Sequence, residues 1–527
     1  MSNTPKTRKL AVRLLKDSFE PDSALKDGHG LDENVWPPLV DGRLFTGRSR
    51  LRPPRWIGFL EEGTGEKLNL GVRHASAVLF IPVASRWMVF TFGGGLYALK
   101  QESYEIGFGL RCVLNAIDPE SLKSLDVSTP EQTTIQRRIQ ASQESELGIF
   151  NITTDRDILK KIQGKAVDNE FAKNMTGADA LTMSTPVFAK DLKKKAEEVL
   201  DIYHQDNYKE RFGWVDYVAH VREKETCEKL NACLIVNLKS DAESAHLAAP
   251  EIIDPEIMGD FRYRGTKSRE TYPTLSLTDY LAAAEKSTLS VEQLKRHKIV
   301  LVQDDNTELT RWPIFNSLVY ETEYQGGLYV LSTGCWYRVD TDFADEVNAF
   351  FEKVMCGPIL PDTKVKTTED EYIGDLKRAQ PDWACLHTKN IKCDKWSSAI
   401  ESCDFLTPEN QFIHIKNKAE SATLSHLFNQ GVVSAEAFKR DAEFRKELNA
   451  KIRDAHSGFQ SPCPDHEKPI AGGDFAVVYA VMREPYKGNG DMGLPFFSKV
   501  ALRNAKQRLD DLGFQTQFSW VRKEEAA

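Results

Sequence analysis

The sequence predicts an α/β protein, with a mixed α+β region over residues 1–355 and a C-terminal α/β domain over 356–527. Three observations predict it. Strand-like and helix-like apolar periodicities alternate along most of the chain. Residues 369–430 read as helix, three strands and helix in a row. At 527 residues, 41% of them apolar, the chain is too long for one core and has material for several.

The opening "KLAVRLLK" reads as a strand, and the forty residues after it, rich in Asp, Gly, Pro and Arg, read as loop. Within that loop, "GRSRLRPPRW" sets Arg48, Arg50, Arg52 and Arg55 beside Trp56. Guanidinium groups next to an aromatic ring suit a nucleic-acid backbone or a stacked base; a solvated basic loop anchored by one buried Trp is the bland alternative. From 76 to 114, "SAVLFIPVASRWMVFTFGGGLYALK" and "IGFGLRCVLN" give two or three β runs broken by glycine. Gly93 to Gly95 lack the spacing of a phosphate loop and predict a turn. An amphipathic helix is expected over 188–212, and "GGLYVLSTGCWYRVD" followed by "FADEVNAFFEKV" reads as strand, turn, strand, helix, closing the first region near residue 355. The polar, Pro-containing stretch "MCGPILPDTKVKTTEDE" is the expected linker.

Beyond it come a helix (about 369–380), strands in "WACLHTKNI", "AIESCDFL" and "QFIHIK", and a helix from about 421 to 430 ending at Gly431. A strand at "DFAVVYAVM" and a helix in "SKVALRNAKQRLDDLGF" follow.

Composition excludes several classes. No apolar run approaches the roughly 20 residues needed to cross a bilayer, and the basic N-terminus lacks the apolar stretch of a secretory signal, so no membrane partner and a cytoplasmic location are expected. Nine scattered cysteines without a C-x-x-C pair fit a reducing compartment and speak against a four-cysteine zinc site. With a net charge of -9, any polyanion would be held by a local patch. The basic runs "RYRGTKSR" and "KRHK" could supplement Arg48 to Arg55, and "CPDH" offers two ligand types without a matching pair.

The stretch "IESCDFLTPENQFIHIKNK", residues 400–418, carries Glu401, Asp404, His414 and Lys416 on what reads as a hairpin. The order helix, three strands, helix, with acids on the first helix and second strand and a lysine on the third, resembles the restriction-endonuclease-like, PD-(D/E)xK, superfamily. Its chemistry accounts for the residue types: carboxylates hold a divalent metal, Mg²⁺ or Mn²⁺, the metal acidifies a water, and the lysine offsets charge on the phosphate. The third strand should read acid-x-Lys, since strand periodicity puts both side chains on one face. Here it reads His414-Ile415-Lys416, so histidine stands where the acid is expected, and an imidazole suits softer metals than Mg²⁺. A four-residue loop, 407–410, would set Glu401 opposite Lys416; a five-residue loop would set Asp404 against His414. Both acids are therefore candidates; the first helix offers Glu369 and Glu371 as an extra carboxylate, and Glu371 and His414 complete the metal set. Gln430 on the last helix matches a glutamine that faces the site in Mrr-like members of the superfamily. The alternative is an ordinary cross-strand pair between Glu401 and Lys416 with a half-buried His414.

Taken together, "FGLRCVLNAID", "GCWYRVD", "IESCDFL", "FIHIKNKAESATLSHLFNQG" and "LPFFSKVALR" resemble a sporadically distributed bacterial family of uncharacterised proteins of about this length. The likeness runs over nearly the whole chain and is most specific around 400–431. Members look like passengers of defence islands, which implies an antiphage role and nucleic acid, DNA above all, as the target. The functional expectation is metal-dependent phosphodiester hydrolysis by Glu401, Asp404, His414, Lys416 and Gln430. A non-catalytic scaffold that binds nucleic acid or a phage component is the rival, and self-association and a small nucleotide signal held by the 76–114 sheet stay open.

Overall fold

The computed structural model describes residues 5–37, 41–49, 51–54, 56–129, 134–150, 152–154, 157–240, 245–253, 259–303, 307–393, 399–417, 421–463, 472–485 and 492–524. These form a mixed α/β protein of two compact units, one of residues 1–128 and 136–215, the other of 129–135 and 216–527.

In the first unit, strand Thr7–Leu14 sits mid-sheet between Arg86–Gly93 and Leu181–Pro186. It belongs to a largely antiparallel sheet of ten described strands that ends on Asp32–Asn34 on one side and Ile135–Ser145 on the other. Its neighbour Arg86–Gly93 forms a hairpin with Ala75–Val83, and Gly93 to Gly95 turn into a short 3-10 segment. The expected early loop contains strand Arg43–Arg48, paired with Ala75–Val83. "FGLRCVLNA", expected as strand, is a helix, Phe108–Ala116. Its buried Phe108, Cys112 and Val113 follow helical spacing, and Gly107, in the left-handed region at φ 71, starts it. Gly109 lies so close to the Ala180 backbone that a side chain has no room there, which lets the helix lie flat on the sheet beside Leu192–His204.

The second unit holds a five-stranded and a three-stranded sheet and, towards the C-terminus, a six-stranded sheet that positions the candidate site. The elements around that site are α1 (Glu369–Ala379), β1 (Ala384–Cys385), β2 (Phe405–Leu406), β3 (Gln411–Asn417), α2 (Ser421–Arg440), α3 (Ala442–Ala455), β4 (Ala476–Arg483), α4 (Phe496–Leu512) and β5 (Gln515–Glu524). Strands β1, β2 and β3 run as an antiparallel meander, and β4 and β5 add parallel to β3. Every residue of β4 is buried, as a central strand covered on both faces requires. On one face Ile413, Ile415, Val478 and Ala480 pack under α1; on the other Phe412, Val477 and Tyr479 pack under α2 and α4.

The expected boundary at 355/356 falls inside this unit. Phe351 and Val354 of helix Thr341–Val354 share a core with β4 and β5, the Phe351 and Phe518 rings lying 5.2 Å apart. The stretch expected as a linker runs along β5: the Cys356 amide donates to the Phe518 carbonyl at 2.8 Å, and the Ile359 amide to Ser519 Oγ at 3.1 Å.

Candidate metal centre

Helix α1 starts with a capping box. Thr368 Oγ1 accepts from the Glu371 amide at 3.3 Å and the Glu371 carboxylate accepts from the Thr368 amide at 2.9 Å. Those bonds hold Glu371 below the usual carboxylate range, the backbone bond first. They also turn Glu371 away from the sheet: it is exposed and its ligand atoms do not converge with those of other acids or histidines, so it leaves the predicted metal set. Its two predecessors take over. Glu369 accepts from Lys416 Nζ at 2.9 Å and from the Asn417 amide at 2.8 Å, and Asp370 meets His387 Nε2 at 3.1 Å.

The hairpin settles the register that the sequence left open. Leu406 pairs with Phe412 and Phe405 with Ile413, which is the register expected of the five-residue loop and brings Asp404 level with His414. Asp404 is buried; its amide donates to the Ile413 carbonyl, and its Oδ2 accepts from the Ile415 amide at 2.7 Å. One carboxylate oxygen is thereby fixed by β3 and the other, Oδ1, faces His387.

His387, to which sequence reasoning gave no role, is the hub. It lies two residues past the end of β1, and Thr388, in the left-handed region at φ 61, bends the chain away there, cutting the expected strand "WACLHTKNI" to two residues. His387 Nδ1 lies 2.5 Å from Asp404 Oδ1 and 3.8 Å from Glu401 Oε1. Glu401 stands off the strand: it accepts from Gln430 Nε2 at 3.1 Å and from the Thr388 amide at 3.3 Å. Glu401 and Lys416 are therefore not the cross-strand pair that a four-residue loop would have made. His387, Glu401 and Asp404 each offer a ligand atom, all within 4.8 Å of one another, the one such group among the described residues.

The acids set the charge of the imidazole. The hydrogen bond to Asp404 is the largest cause that lifts His387 to about 9, with Asp370 and Glu401 adding to it against the opposing effect of burial. His387 is thus an imidazolium at neutral pH, wedged among carboxylates.

His414 does not join the group, which corrects its assignment as a metal ligand. It is buried in the α2 face of the sheet, its Nε2 3.4 Å from Ser434 Oγ and its ring 6.1 Å from that of Tyr479. Burial pushes it down to about 4, so it is neutral at neutral pH, a core residue at the end of the meander. Lys416 reaches the centre indirectly, through Glu369 beside Asp370 on α1. Gln430 does face Glu401, and α2 does not end at Gly431 but runs to Arg440. Gly431 sits there for space: the Tyr479 ring fills the place of a side chain, and its hydroxyl donates to the Phe428 carbonyl at 2.8 Å. Of the predicted basic set, Arg48 and Arg52 are exposed in the first unit, while Arg50 and Arg55 lie outside the described residues.

Residues 10–522 match a family of unknown function (DUF6119). The chain belongs to that family. No curated protein and no solved structure matches it. The family spans both the first-unit sheet and the meander, and carries no reaction with it. No helix among the described residues is long and apolar enough to cross a membrane, and all nine cysteines are free thiols.

Proposed function

We propose that this protein is an antiphage-defence enzyme that hydrolyses phosphodiester bonds of nucleic acid, DNA above all, at a metal centre formed by His387, Glu401 and Asp404. The observation that carries the reading is their convergence within 4.8 Å, on a helix, three-strand meander, helix, parallel-strand layout that resembles the PD-(D/E)xK arrangement. The resemblance to a defence-island family supports the biological setting.

The donor set fits a divalent cation once the cation displaces the proton of His387: two carboxylates and a neutral imidazole, with further acids at Glu369 and Asp370. The imidazole tilts the fit towards Mn²⁺ over Mg²⁺, the reasoning applied to His414 now moving to His387. A cation bound there would acidify a water and neutralise the attacked phosphate. The chain's own residues supply the rest. The Ile415 amide holds Asp404 in one orientation, leaving Oδ1 for a ligand; the Thr388 amide and Gln430 orient Glu401 through its Oε1 and Oε2 in turn. Lys416, at the end of β3, supplies positive charge for the transition state once it exchanges Glu369 for phosphate oxygen.

One observation favours a second reading. The His387 imidazolium already sits where a cation would neutralise the acids, 2.5 Å from Asp404 and 3.1 Å from Asp370. A centre closed by its own imidazolium is a structural clamp, and the protein is then a scaffold that binds nucleic acid or a phage component without cutting it.

Incubating the protein with plasmid and with RNA under Mg²⁺, Mn²⁺ and EDTA separates the two. Hydrolysis is expected with Mn²⁺, abolished by EDTA and reduced at least ~100-fold in Lys416→Ala and in Asp404→Asn. Equal cleavage by wild type and variants, or none under any metal, defeats the enzyme reading.

A further inference from the structure

The basic stretch of the first unit is one half of a larger device. Strands Arg43–Arg48 and Ala75–Val83 continue past their sheet as two legs: the Ser49 amide donates to the His74 carbonyl at 2.8 Å, and Arg52 and Val72 exchange both backbone bonds at 3.1 and 2.8 Å. The tip is a short helix, Ile57–Thr64, closed by Gly65 in the left-handed region at φ 71. Of the described residues from 48 to 75, Ile57 alone is buried, and Pro54, Glu61 and Leu68 are half-buried. The rest is exposed, so this ribbon projects from its sheet.

Charge is sorted along it. No acidic residue occurs from Arg43 to Leu60 or from Lys67 to Gln101; the three acids of the ribbon, Glu61, Glu62 and Glu66, all lie at the tip. The legs carry Arg48, Arg52, Lys67 and Arg73, and none of these four side chains has a hydrogen-bond or ion-pair partner among the described residues. At the start of the tip helix Trp56 is 53% exposed, and within it Phe59 is 78% exposed. In a chain with net charge -9, a projecting element with unpaired cations along its length and bare aromatic rings near its end is built for an anionic partner.

We propose that the ribbon of residues 48–74 grips the phosphodiester backbone of nucleic acid. A two-stranded ribbon fits a duplex groove, cations in a row along a leg follow successive phosphates, and rings such as Trp56 and Phe59 stack on unpaired bases. The seven steps from Lys67 to His74 span roughly 23 Å, several phosphate spacings. An anionic membrane is the other polyanion with an appetite for cations and aromatics, but it would meet the ribbon tip first, and the tip holds the acids. The assignment rests on nucleic acid being the target, as proposed above, and not on cleavage.

The test uses the full-length protein in EDTA, so that binding is read without hydrolysis. Fluorescence anisotropy with labelled duplex DNA, single-stranded DNA and RNA is followed across a salt series. Replacing Arg48, Arg52 and Arg73 together with alanine is expected to weaken binding at least ~10-fold and to reduce the salt slope by about 2 to 3, while the lysine triple variant keeps most of both. Trp56→Ala with Phe59→Ala is expected to weaken binding to single strands more than to duplex. All five positions are exposed, and an unchanged thermal melt verifies that the variants fold. Unaltered affinity and slope in the alanine triple variant overturn the proposal, as does ribbon-dependent sedimentation with phosphatidylserine vesicles without oligonucleotide binding. If binding behaves as expected but no metal supports cleavage, the ribbon stands and the enzyme reading falls.

Discussion

At His387 three carboxylates decide the charge of one imidazole, and that makes the pH dependence of stability readable. Its pKa in the folded protein is raised to about 9 from 6.5, so the imidazolium stabilises the fold fully below about 6.5, and that contribution is lost as pH rises towards 9. In EDTA, the wild-type melting temperature is therefore expected to fall between pH 6.5 and 9, and Asp404→Asn, which removes the largest cause of the shift, to flatten that fall. A wild-type profile as flat as that of the variant counts against the clamp. A histidine at the end of a short apolar run is a weak signal in sequence, because the same residue type at His414 became a neutral core group. Which of the two is charged depends on neighbours that arrive from α1 and from the loop before β2. Asp404 and Glu401 were both legible as acids beside a strand; that Glu401 would leave the strand and lean on Gln430 was not.

At the scale of elements, helical and strand periodicities were good guides wherever packing agreed with them. Helix α1 with its Thr368 start, strand β3 and strand β4 lie where the apolar pattern puts them. The pattern misled at glycine. Gly431 reads as a helix stop, yet α2 continues through it because the Tyr479 ring lies where a side chain would project. Gly431→Ala, which propensity alone would favour, is expected to destabilise the protein by about 1–3 kcal/mol through overpacking against Tyr479, measured by urea unfolding. A stabilised variant would show that the ring can move aside. Likewise Phe108–Ala116 reads as strand because apolar residues and glycine are mixed there, and becomes helix because Gly109 permits close approach to the Ala180 backbone.

For the whole molecule, the division of the chain is a matter of which cores are shared. Phe351 and Val354 belong to the core of β4 and β5, and Phe343 stacks edge-on against Phe496 at 5.5 Å. A fragment starting at residue 356 would expose those faces of α4 and β5, and it is expected to aggregate or to melt without a cooperative transition. A fragment of residues 216–527, followed by circular dichroism and size exclusion, is expected to melt cooperatively; a cooperative 356–527 fragment would make the Phe351 and Phe343 contacts dispensable. The sequence by itself determined the α/β class, the helix and three-strand order around 369–430, and the acids and lysine that belong to it, because these depend on local periodicity and residue chemistry. Tertiary structure alone decided the hairpin register, the recruitment of His387 in place of His414, and the sharing of one core across residue 355. Each of these is set by the burial and pairing of groups far apart in the chain, on which local pattern carries no information.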